Sequence, residues 1–367
     1  MEQLLERTSA GRTLIFKGEG DFFRVLKERV GAHFGKSSRR DDPRLYRKAS
    51  QLTAAFLFLY TLLLCLDPGL YSLGLCAALG LVTCALGFNV FHDSVHGSFS
   101  DTPKVNLVLG RASCALIGIS RYLWWYKHNV LHHRFTNIYR WDDDLETRDS
   151  LRMSPSQPWK PKYRLQHLYF WALYAMTTLE WIFIKDFVQY FSMKINPFRS
   201  IPGLSRAEKL EFWATKAFYL AAFVVLPMAL LGPFKALAGL LVFHFTLSLS
   251  LAFVFNLAHV MEPAEFPEAA LAGTSMETEW AAHQLATTVN FATSNKALTW
   301  FAGGLNFQIE HHLFPSISHG HYPELSRIVR TTAREFGLPY HDYPGYRDAV
   351  KGHWRILRSL GRKPAAS

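Results

Sequence analysis

Four long apolar runs constrain the fold of this chain more than any other feature of its sequence. They cover residues 49–66, 69–91, 212–232 and 236–258. Each is close to the ~20 residues that an α-helix needs to cross the hydrocarbon core of a bilayer. A short turn separates the runs of each pair, at Asp67, Pro68 and Gly69 in the first and at Gly232 and Pro233 in the second. The sequence therefore predicts two membrane-spanning helical hairpins.

The distribution of charge predicts the orientation of these hairpins. The chain has 40 Lys and Arg residues against 29 Asp and Glu residues, a formal net charge of +11. The two hairpin turns together contain one cation, Lys235, whereas the segments before, between and after the hairpins are rich in Arg and Lys. Because basic residues are enriched in cytoplasmic loops, we expect both termini and the large middle segment to face the cytoplasm.

The segments outside the hairpins predict a helical cap. The mean hydropathy of +0.03 is too low for a chain that lies wholly in lipid, and the apolar periodicity of these segments is mostly helical. The predicted fold is an all-α integral membrane protein whose cytoplasmic helical cap holds a histidine-rich site. The expected divisions are an interfacial or cytoplasmic amphipathic segment (1–48), hairpin 1 (49–91), a cap segment (92–211), hairpin 2 (212–258) and a second cap segment (259–367).

Two further segments are amphipathic or only partly apolar. A helix is predicted from Asp21, with an apolar face formed by Phe22, Val25, Leu26 and Val30. This face is expected either to lie on a membrane surface or to pack against the protein's own cap. The apolar stretch 165–191 is interrupted by Glu180, Lys185 and Asp186. We therefore interpret it as an interfacial helix rather than as a fifth span.

Seven of the sixteen histidines form three clusters next to apolar runs. The clusters are His92 and His96; His128, His132 and His133; and His311 and His312. Residues four apart project from one face of a helix, so the first two clusters can each present two imidazoles to a metal. His133 is turned by about 100° from its neighbour and can reach a second ion. One pair alone is more often a pair of surface histidines, whereas three clusters at one membrane face predict a metal centre.

The ligand types narrow the choice of metal. Neutral imidazole suits zinc, copper, iron and nickel, and the four cysteines have no ligand-type spacing. Structural zinc usually takes four ligands, often thiolates, whereas seven or more histidines suffice for two ions. The Glu-x-x-His pairs of carboxylate-bridged four-helix bundles are missing from the sequence. Two non-haem iron ions held mainly by histidine are the interpretation that fits.

The clusters HDSVHGS, HNVLHHRFTN and GGLNFQIEHHLFP resemble the three histidine boxes of the membrane fatty acid desaturases. The resemblance covers about residues 40 to 345. Gln308 stands where many desaturases have histidine, which is similar to the front-end subgroup and to its bacterial acyl-CoA relatives, including linoleoyl-CoA desaturases. The resemblance implies a di-iron centre that uses dioxygen and two electrons to form a cis double bond in an acyl chain.

The resemblance also implies a ligand set. It consists of the seven clustered histidines as catalytic ligands and an eighth ligand near the end of the last span, where His259 fits. Asn256 is expected to hold a metal-bound water, and Gln308 either ligates or leaves a position open. Because ligating imidazoles need a partner for their second nitrogen, Asp93, Glu310 and the run Asp142 to Asp144 are expected to orient them or to remain surface carboxylates. The other histidines are expected to be structural: His33, His167, His244, His283, His319, His321, His341 and His353.

Substrate and partners follow from the same resemblance. The expected substrate is a fatty acyl chain on coenzyme A, a lipid or an acyl carrier protein, held in an apolar tunnel. The aromatic residues near the boxes are expected to be core more often than tunnel: Trp124, Trp125, Tyr126 and Phe291. The sequence contains no His-Pro-Gly-Gly haem motif, dinucleotide Gly pattern or ferredoxin-like cysteine set. A separate ferredoxin or b-type cytochrome is therefore the expected electron donor.

Three alternatives remain open at this stage. A fatty acyl hydroxylase or acetylenase would use the same centre. A membrane metal transporter or receptor would have metal-binding residues inside the spans. The residues of this kind that lie well inside the predicted spans are His244 and Asn256. Nucleic-acid binding through the basic N-terminal segment has no supporting motif, and no nucleic-acid partner is expected.

Overall fold

The computed structural model describes residues 14–18, 20–66, 69–268 and 275–364, so the predicted turn at Asp67 and Pro68 lies outside the described residues. The longer helices are α1 (Asp21–Phe34), α2 (Pro43–Cys65), α3 (Leu70–His96), α4 (Pro103–Ile117), α5 (121–135), α6 (166–192), α7 (Arg206–Leu231), α8 (Pro233–His259), α9 (Trp280–Thr287), α10 (Lys296–Phe301), α11 (Gln308–Leu313), α12 (Tyr322–Glu335) and α13 (Tyr346–Gly361). Short strands form three two-stranded sheets: β1 (Ile15–Lys17) with β4 (Ser275–Glu279), β2 (Lys194–Asn196) with β3 (Arg199–Ser200), and β5 (Val289–Phe291) with β6 (His341–Tyr343).

Four of the described helices are long and apolar enough to cross a membrane. They are α2, α3, α7 and α8, with 23, 27, 26 and 27 residues, which confirms the prediction of four spans in an all-α protein. Local signals set their limits. The Asp42 carboxylate accepts the backbone N–H of Arg44 at 2.9 Å and caps α2. Gly232, with φ at 84°, ends α7, and Pro233 begins α8.

Helices α3 and α8 pack closely because small residues line their contact. A Cβ atom at Gly80 would lie 2.6 Å from the Phe243 carbonyl oxygen, and one at Gly239 would lie 3.0 Å from the Cys76 sulfur. Small side chains allow membrane helices to approach each other in this way. The two helices remain close up to Phe88 of α3 and Phe255 of α8, whose ring centroids are 5.9 Å apart, one turn before His92 and His259.

Segments of π-helix occur where the first two histidine clusters begin. One covers Gly87–Phe91, directly before His92, and another covers Tyr126–His132. A π-helical turn is wider than an α-helical turn and is frequent at functional sites. The α-helical spacing expected from the sequence is therefore present for His92 and His96, whereas His128 and His132 lie on a π-helical segment.

Helix α6 contains almost all of the interrupted apolar stretch. It is not among the four described helices that are long and apolar enough to cross a membrane. Its apolar side chains Leu168, Trp171 and Val188 are at least half exposed, whereas its Asp186 is fully buried. The Asp186 carboxylate contacts the Lys216 ammonium of α7 at 2.7 Å. This ion pair explains how a lysine that the sequence analysis did not single out can lie buried near the start of a span.

The N-terminal amphipathic helix α1 packs against the protein itself. Its residues Phe22, Leu26 and Val30 belong to one buried cluster with Leu325 and Val329 of α12. Arg29 adds an ion pair to Glu335 at 2.6 Å. Of the two arrangements expected for this face, the structure therefore has the one in which α1 covers the cap, and its apolar residues are not available to a membrane surface.

Candidate metal centre

Eight histidines from four helices converge in one buried region. They are the seven clustered histidines of α3, α5 and α11, together with His259 at the end of α8. The ring centroids of His92 and His311 are 4.4 Å apart, and those of His132 and His259 are 4.6 Å apart. Seven of the eight side chains are buried, whereas His96 is partly exposed. The residues of all three clusters and His259 thus meet at one end of the helices α3 and α8.

The potential ligand atoms fall into neighbouring groups. In one group, ligand atoms of His92, His96, His128 and His311 lie within 4.8 Å of one another, and in a second those of His132, His259 and His312 do so. His128, His132 and Asp144 form a third such group. His133 lies between the first two, with its Nε2 atom 3.2 Å from that of His128 and its ring centroid 4.4 Å from that of His312. This arrangement has room for two adjacent ions.

The chemistry of these nitrogens fits a metal. Among the ring nitrogens of these eight histidines, those buried without a hydrogen-bond partner are both nitrogens of His92 and His259, Nδ1 of His133 and the Nε2 atoms of His96, His311 and His312. Buried polar atoms without a partner are costly and rare, and metal coordination would satisfy them. Burial also lowers the pKa values of four imidazoles outside the spans well below their ordinary value: His128, His133, His311 and His312. They are therefore neutral, which is the form that binds metals.

Second ring nitrogens are held by hydrogen bonds. His132 Nδ1 donates to the Asp142 carboxylate at 3.0 Å and lies 3.4 Å from an Asp144 oxygen. His312 Nδ1 donates to the Gln284 amide oxygen at 2.8 Å, and His311 Nδ1 contacts the Tyr322 hydroxyl at 3.0 Å. In His132 and His312, whose partners are acceptors, this leaves Nε2 directed to the centre, because a proton on Nδ1 makes Nε2 the free acceptor.

The carboxylates named from the sequence have different surroundings. Asp93 is fully buried and contacts His92 Nδ1 at 3.6 Å and His319 Nδ1 at 2.7 Å. Glu310 instead accepts the Asn290 amide at 2.8 Å and the Tyr340 hydroxyl at 2.9 Å, and burial raises its pKa to about 7. The Glu310 carboxylate therefore faces this other pair of partners, and an orienting role of Glu310 toward a clustered histidine stays a prediction.

The two uncharged candidates also lie near the centre, Gln308 buried and Asn256 partly exposed. Gln308 is the first residue of α11 and is 1% exposed. The Asn256 amide donates to the carbonyl of Ala252 in its own helix at 2.8 Å, and Asn256 lines a cavity beside His259. Asn256 thus faces the region in which the sequence predicts a metal-bound water.

Several residues that support the centre were missed by the sequence analysis. Gln284 and Tyr322 hold ligand-type histidines, and His319, which was expected to be structural, is the partner of Asp93. None of them lies in a histidine box, so no local pattern marks them. Asn137 does lie in the second box motif and could have been found there.

Asn137 joins the second box to the end of α8. It has a φ of 60°, a left-handed conformation that asparagine tolerates better than most residues. Its side-chain amide contacts the carbonyls of His259 at 2.9 Å and Thr287 at 3.2 Å, and its backbone N–H donates to Asp142 at 2.9 Å. Asn137 therefore connects the second histidine box with the end of α8, the end of α9 and the Asp142 carboxylate.

A cavity of about 510 Å³ extends from the centre along α6 and α8. It touches His128, Asn256 and His259, and its walls are mostly apolar: Leu145, Leu151, Met153, Leu173, Met176, Leu251, Ala252, Phe255 and Val260. Trp124 lines it, whereas Tyr126 and Phe291 are buried in the core and Trp125 lines a different cavity. Its size and lining are typical of a site for a small apolar ligand.

Comparison with known proteins identifies the family. Residues 68–344 match the family model for fatty acid desaturases. The chain belongs to the fatty acid desaturase family. This confirms the resemblance carried by the three histidine boxes and makes the protein an oxidoreductase of a membrane family, not a metal transporter or receptor.

Similar desaturases come from cyanobacteria and a moss. The chain is 35% identical to the "sn-1 linoleoyl-lipid 6-desaturase" of Synechocystis sp., over 95% of this chain and 97% of the relative. It is 34% identical to the protein of the same name from Arthrospira platensis, over 97% of each chain. It is 33% identical to the "Acyl-lipid (8-3)-desaturase" of Physcomitrium patens, over 93% of this chain and 72% of that longer protein.

Replacing Asp142 with asparagine is expected to weaken metal binding by this desaturase. Loss of a carboxylate that orients a ligating imidazole costs about 10- to 100-fold in metal affinity. Metal retention during titration with a chelator, followed by elemental analysis, measures the change. The matched control is Asp149→Asn in the same loop, because Asp149 is exposed and pairs with Lys160 at the surface. Equal retention by Asp142→Asn and the control would contradict the role of Asp142.

Proposed function

We propose that this desaturase introduces a cis double bond into an acyl chain of a membrane lipid, at a non-haem di-iron centre held by eight histidines. The observation that carries the proposal is the meeting of two groups of imidazole nitrogens beside a mostly apolar cavity, which His128 of one group and His259 of the other line. The proposed ligands are His92, His96, His128, His132, His133, His259, His311 and His312.

The choice of iron follows from the ligands and the reaction. Imidazole nitrogens suit iron, and the described residues near the nitrogens include no cysteine thiolate. When bound, a pair of iron ions supplies the redox chemistry by which dioxygen and two external electrons remove two hydrogens from the acyl chain. Asp142 and Asp144 hold the proton of His132 on Nδ1, and Gln284 does the same for His312. These contacts keep the Nε2 atoms aimed at the centre.

The apolar cavity, which we call the acyl cavity, positions the substrate and excludes water. Trp124 and Phe255 lie next to His128, with ring centroids 4.3 and 6.2 Å from its ring. Side chains of this kind hold a methylene pair close to the centre and keep solvent out, and both effects accelerate a reaction of an unactivated chain.

A lipid-borne substrate is favoured by the charges that line the acyl cavity. Three of the four cations among its lining residues are already paired with carboxylates: Lys127 with Asp144 at 2.7 Å, Lys185 with Asp143 at 2.8 Å, and Arg148 with Glu180 at 2.9 Å. The fourth is Lys194. A coenzyme A or carrier-protein thioester would need free cations for its phosphates. The exposed apolar side chains of α6 and the names of the relatives, which specify lipid-bound acyl chains, support the same choice.

The orientation and the electron donor are part of the proposal. The histidine ends of α3 and α8 lie beside the basic segments that the positive-inside rule assigns to the cytoplasm, so the centre and both termini are proposed to face the cytoplasm. A separate ferredoxin or b-type cytochrome is proposed to supply the electrons, since the printed sequence contains no haem, flavin-nucleotide or iron–sulfur motif.

Expression in a host that lacks polyunsaturated fatty acids tests this function. With a fed polyunsaturated precursor such as linoleate, we expect a product lighter by two hydrogens, detected first in intact membrane lipids and later in other acyl pools. Gas chromatography with mass spectrometry identifies it. A hydroxylated or acetylenic product would show that the enzyme is a hydroxylase or an acetylenase instead. If the new double bond appeared first in the acyl-thioester pool, the proposal of a lipid substrate would be contradicted. A His311→Ala strain is the matched negative control.

A further inference from the structure

A second cavity is lined by a different histidine of the centre. It has a volume of about 420 Å³ and touches His96, the one side chain of the eight that is partly exposed. The acyl cavity touches His128 and His259 instead, and the two cavities share no lining residue. We call the second one the His96 cavity.

The two cavities lie on different faces of α5. Arg121, Trp125 and Asn129 line the His96 cavity. Trp124 and His128, which directly precede Trp125 and Asn129 in the helix, line the acyl cavity. The helix therefore separates them. An acyl chain in one cavity does not occupy the other.

The lining of the His96 cavity is more polar than that of the acyl cavity. The charged side chains of Arg40, Asp101 and Arg121 line it together with Ser94 and Asn129, beside apolar residues such as Leu107 and Trp125. Within the described residues, the Ser94 hydroxyl and the Asn129 side-chain oxygen are buried without a hydrogen-bond partner. Buried polar atoms of this kind are typical partners of ordered water. The cavity is thus suited to water and unsuited to an acyl chain.

The stoichiometry of the reaction requires that protons reach the centre and that water leaves it. Desaturation breaks two C–H bonds and forms one C=C bond, and dioxygen is reduced by four electrons, two from the acyl chain and two from the donor. Two protons from solvent complete two water molecules. While the acyl chain fills the apolar cavity, these protons and waters need a separate hydrated path, because apolar walls do not conduct either.

We propose that the His96 cavity is the hydrated passage through which protons reach the centre and product water leaves it. This inference rests on the proposed function, in that it requires a metal at the centre and an acyl chain in the acyl cavity. It assigns Ser94, Asn129 and the charged lining residues to the movement of water, separate from substrate binding.

Azide, a small polar metal ligand, tests access through this passage. The enzyme is loaded with metal in lipid nanodiscs, and the rate of the azide-dependent change in its visible spectrum is measured with and without saturating acyl lipid. The test variants are Leu107→Trp in the lining, alone and combined with Asn129→Leu. The matched control is Val108→Trp, because Val108 is the next residue of α4, is 62% exposed and does not line the cavity.

In the wild type and the control, we expect azide to bind at similar rates with and without acyl lipid. In the combined variant, we expect the rate to fall about tenfold and hydrogen peroxide release per double bond to rise severalfold, because exclusion of water and protons uncouples oxygen reduction. Leu107 is 37% exposed, so Leu107→Trp alone is expected to fold and to show a smaller change in the same direction. Metal content verifies that each variant is loaded.

Two results would overturn the passage. One is azide binding that acyl lipid blocks in the wild type, which would mean that access runs through the acyl cavity. The other is an unchanged azide rate in the loaded Leu107→Trp and combined variants. Failure of the proposed function would look different: the wild type would form no double bond, while the azide rates, which need only metal-loaded protein, would still report on access.

Discussion

Replacing His311 with alanine is expected to reduce double-bond formation to below about 1% of the wild-type rate, because loss of a ligand exceeds the about 10- to 100-fold effect of losing a partner that orients one. His311 is 1% exposed, and its Nε2 atom lies in the group with His92, His96 and His128. His132→Ala removes a nitrogen from the second group and is expected to be equally inactive. Lipid analysis of expressing cells measures the effect.

Both variants are expected to insert into the membrane, since α2, α3, α7 and α8 are unchanged. Membrane fractionation and metal content separate a damaged centre from a failure to fold. His33→Ala is the control, because His33 is exposed and its side chain contacts Glu324 at 3.3 Å and the ring of its neighbour Phe34, away from the centre. Desaturation at the wild-type level in His311→Ala and His132→Ala would remove the assignment of these histidines as ligands.

Replacing Asp186 with alanine is expected to lower the free energy of unfolding by about 3–5 kcal/mol, the usual cost of breaking a buried ion pair. The side chain is fully buried, and besides Lys216 it accepts the backbone N–H of Ser120 at 2.8 Å and the indole N–H of Trp181 at 3.1 Å. Its removal leaves the Lys216 charge inside the protein without a countercharge. The midpoint of unfolding in detergent measures the loss.

Two further variants show whether the loss of stability comes from the burial of the ion pair. Asp149→Ala breaks an exposed ion pair with Lys160 and is expected to change stability by less than about 1 kcal/mol. The double variant Asp186→Leu with Lys216→Met removes both charges and is expected to recover part of the loss, because no uncompensated charge remains. Equal stability of Asp186→Ala and Asp149→Ala would contradict the structural role of the pair.

The fold class was predictable because its signals are local. Hydropathy over about 20 consecutive residues identifies a span, and the four predicted runs correspond to α2, α3, α7 and α8. The clusters of His92 with His96 and of His311 with His312 were equally visible, since their members are at most four residues apart. The face of α1 left two outcomes open, because apolar periodicity shows that a face is buried but not what covers it.

The surroundings of the histidines were only partly predictable. Asp142 lies ten residues from His132 and was a reasonable candidate partner. The amide of Gln284, 28 residues from His312, and the pairing of Asp93 with His319, 226 residues away, follow from no pattern in the chain. The Glu310 carboxylate is next to His311 in sequence, yet it accepts hydrogen bonds from Asn290 and Tyr340, and no local pattern indicates these two partners.

The sequence by itself determined the four spans, the family and the identity of the clustered histidines, because each depends on residues that are close together in the chain. Only the tertiary structure decided how the imidazoles divide into groups, which carboxylates and amides orient them, and that one cavity reaches His128 while another reaches His96. Those features depend on the approach of α3, α5, α8 and α11 and on the π-helical segments that rotate their side chains. Hydropathy and spacing contain no information about such distances between helices.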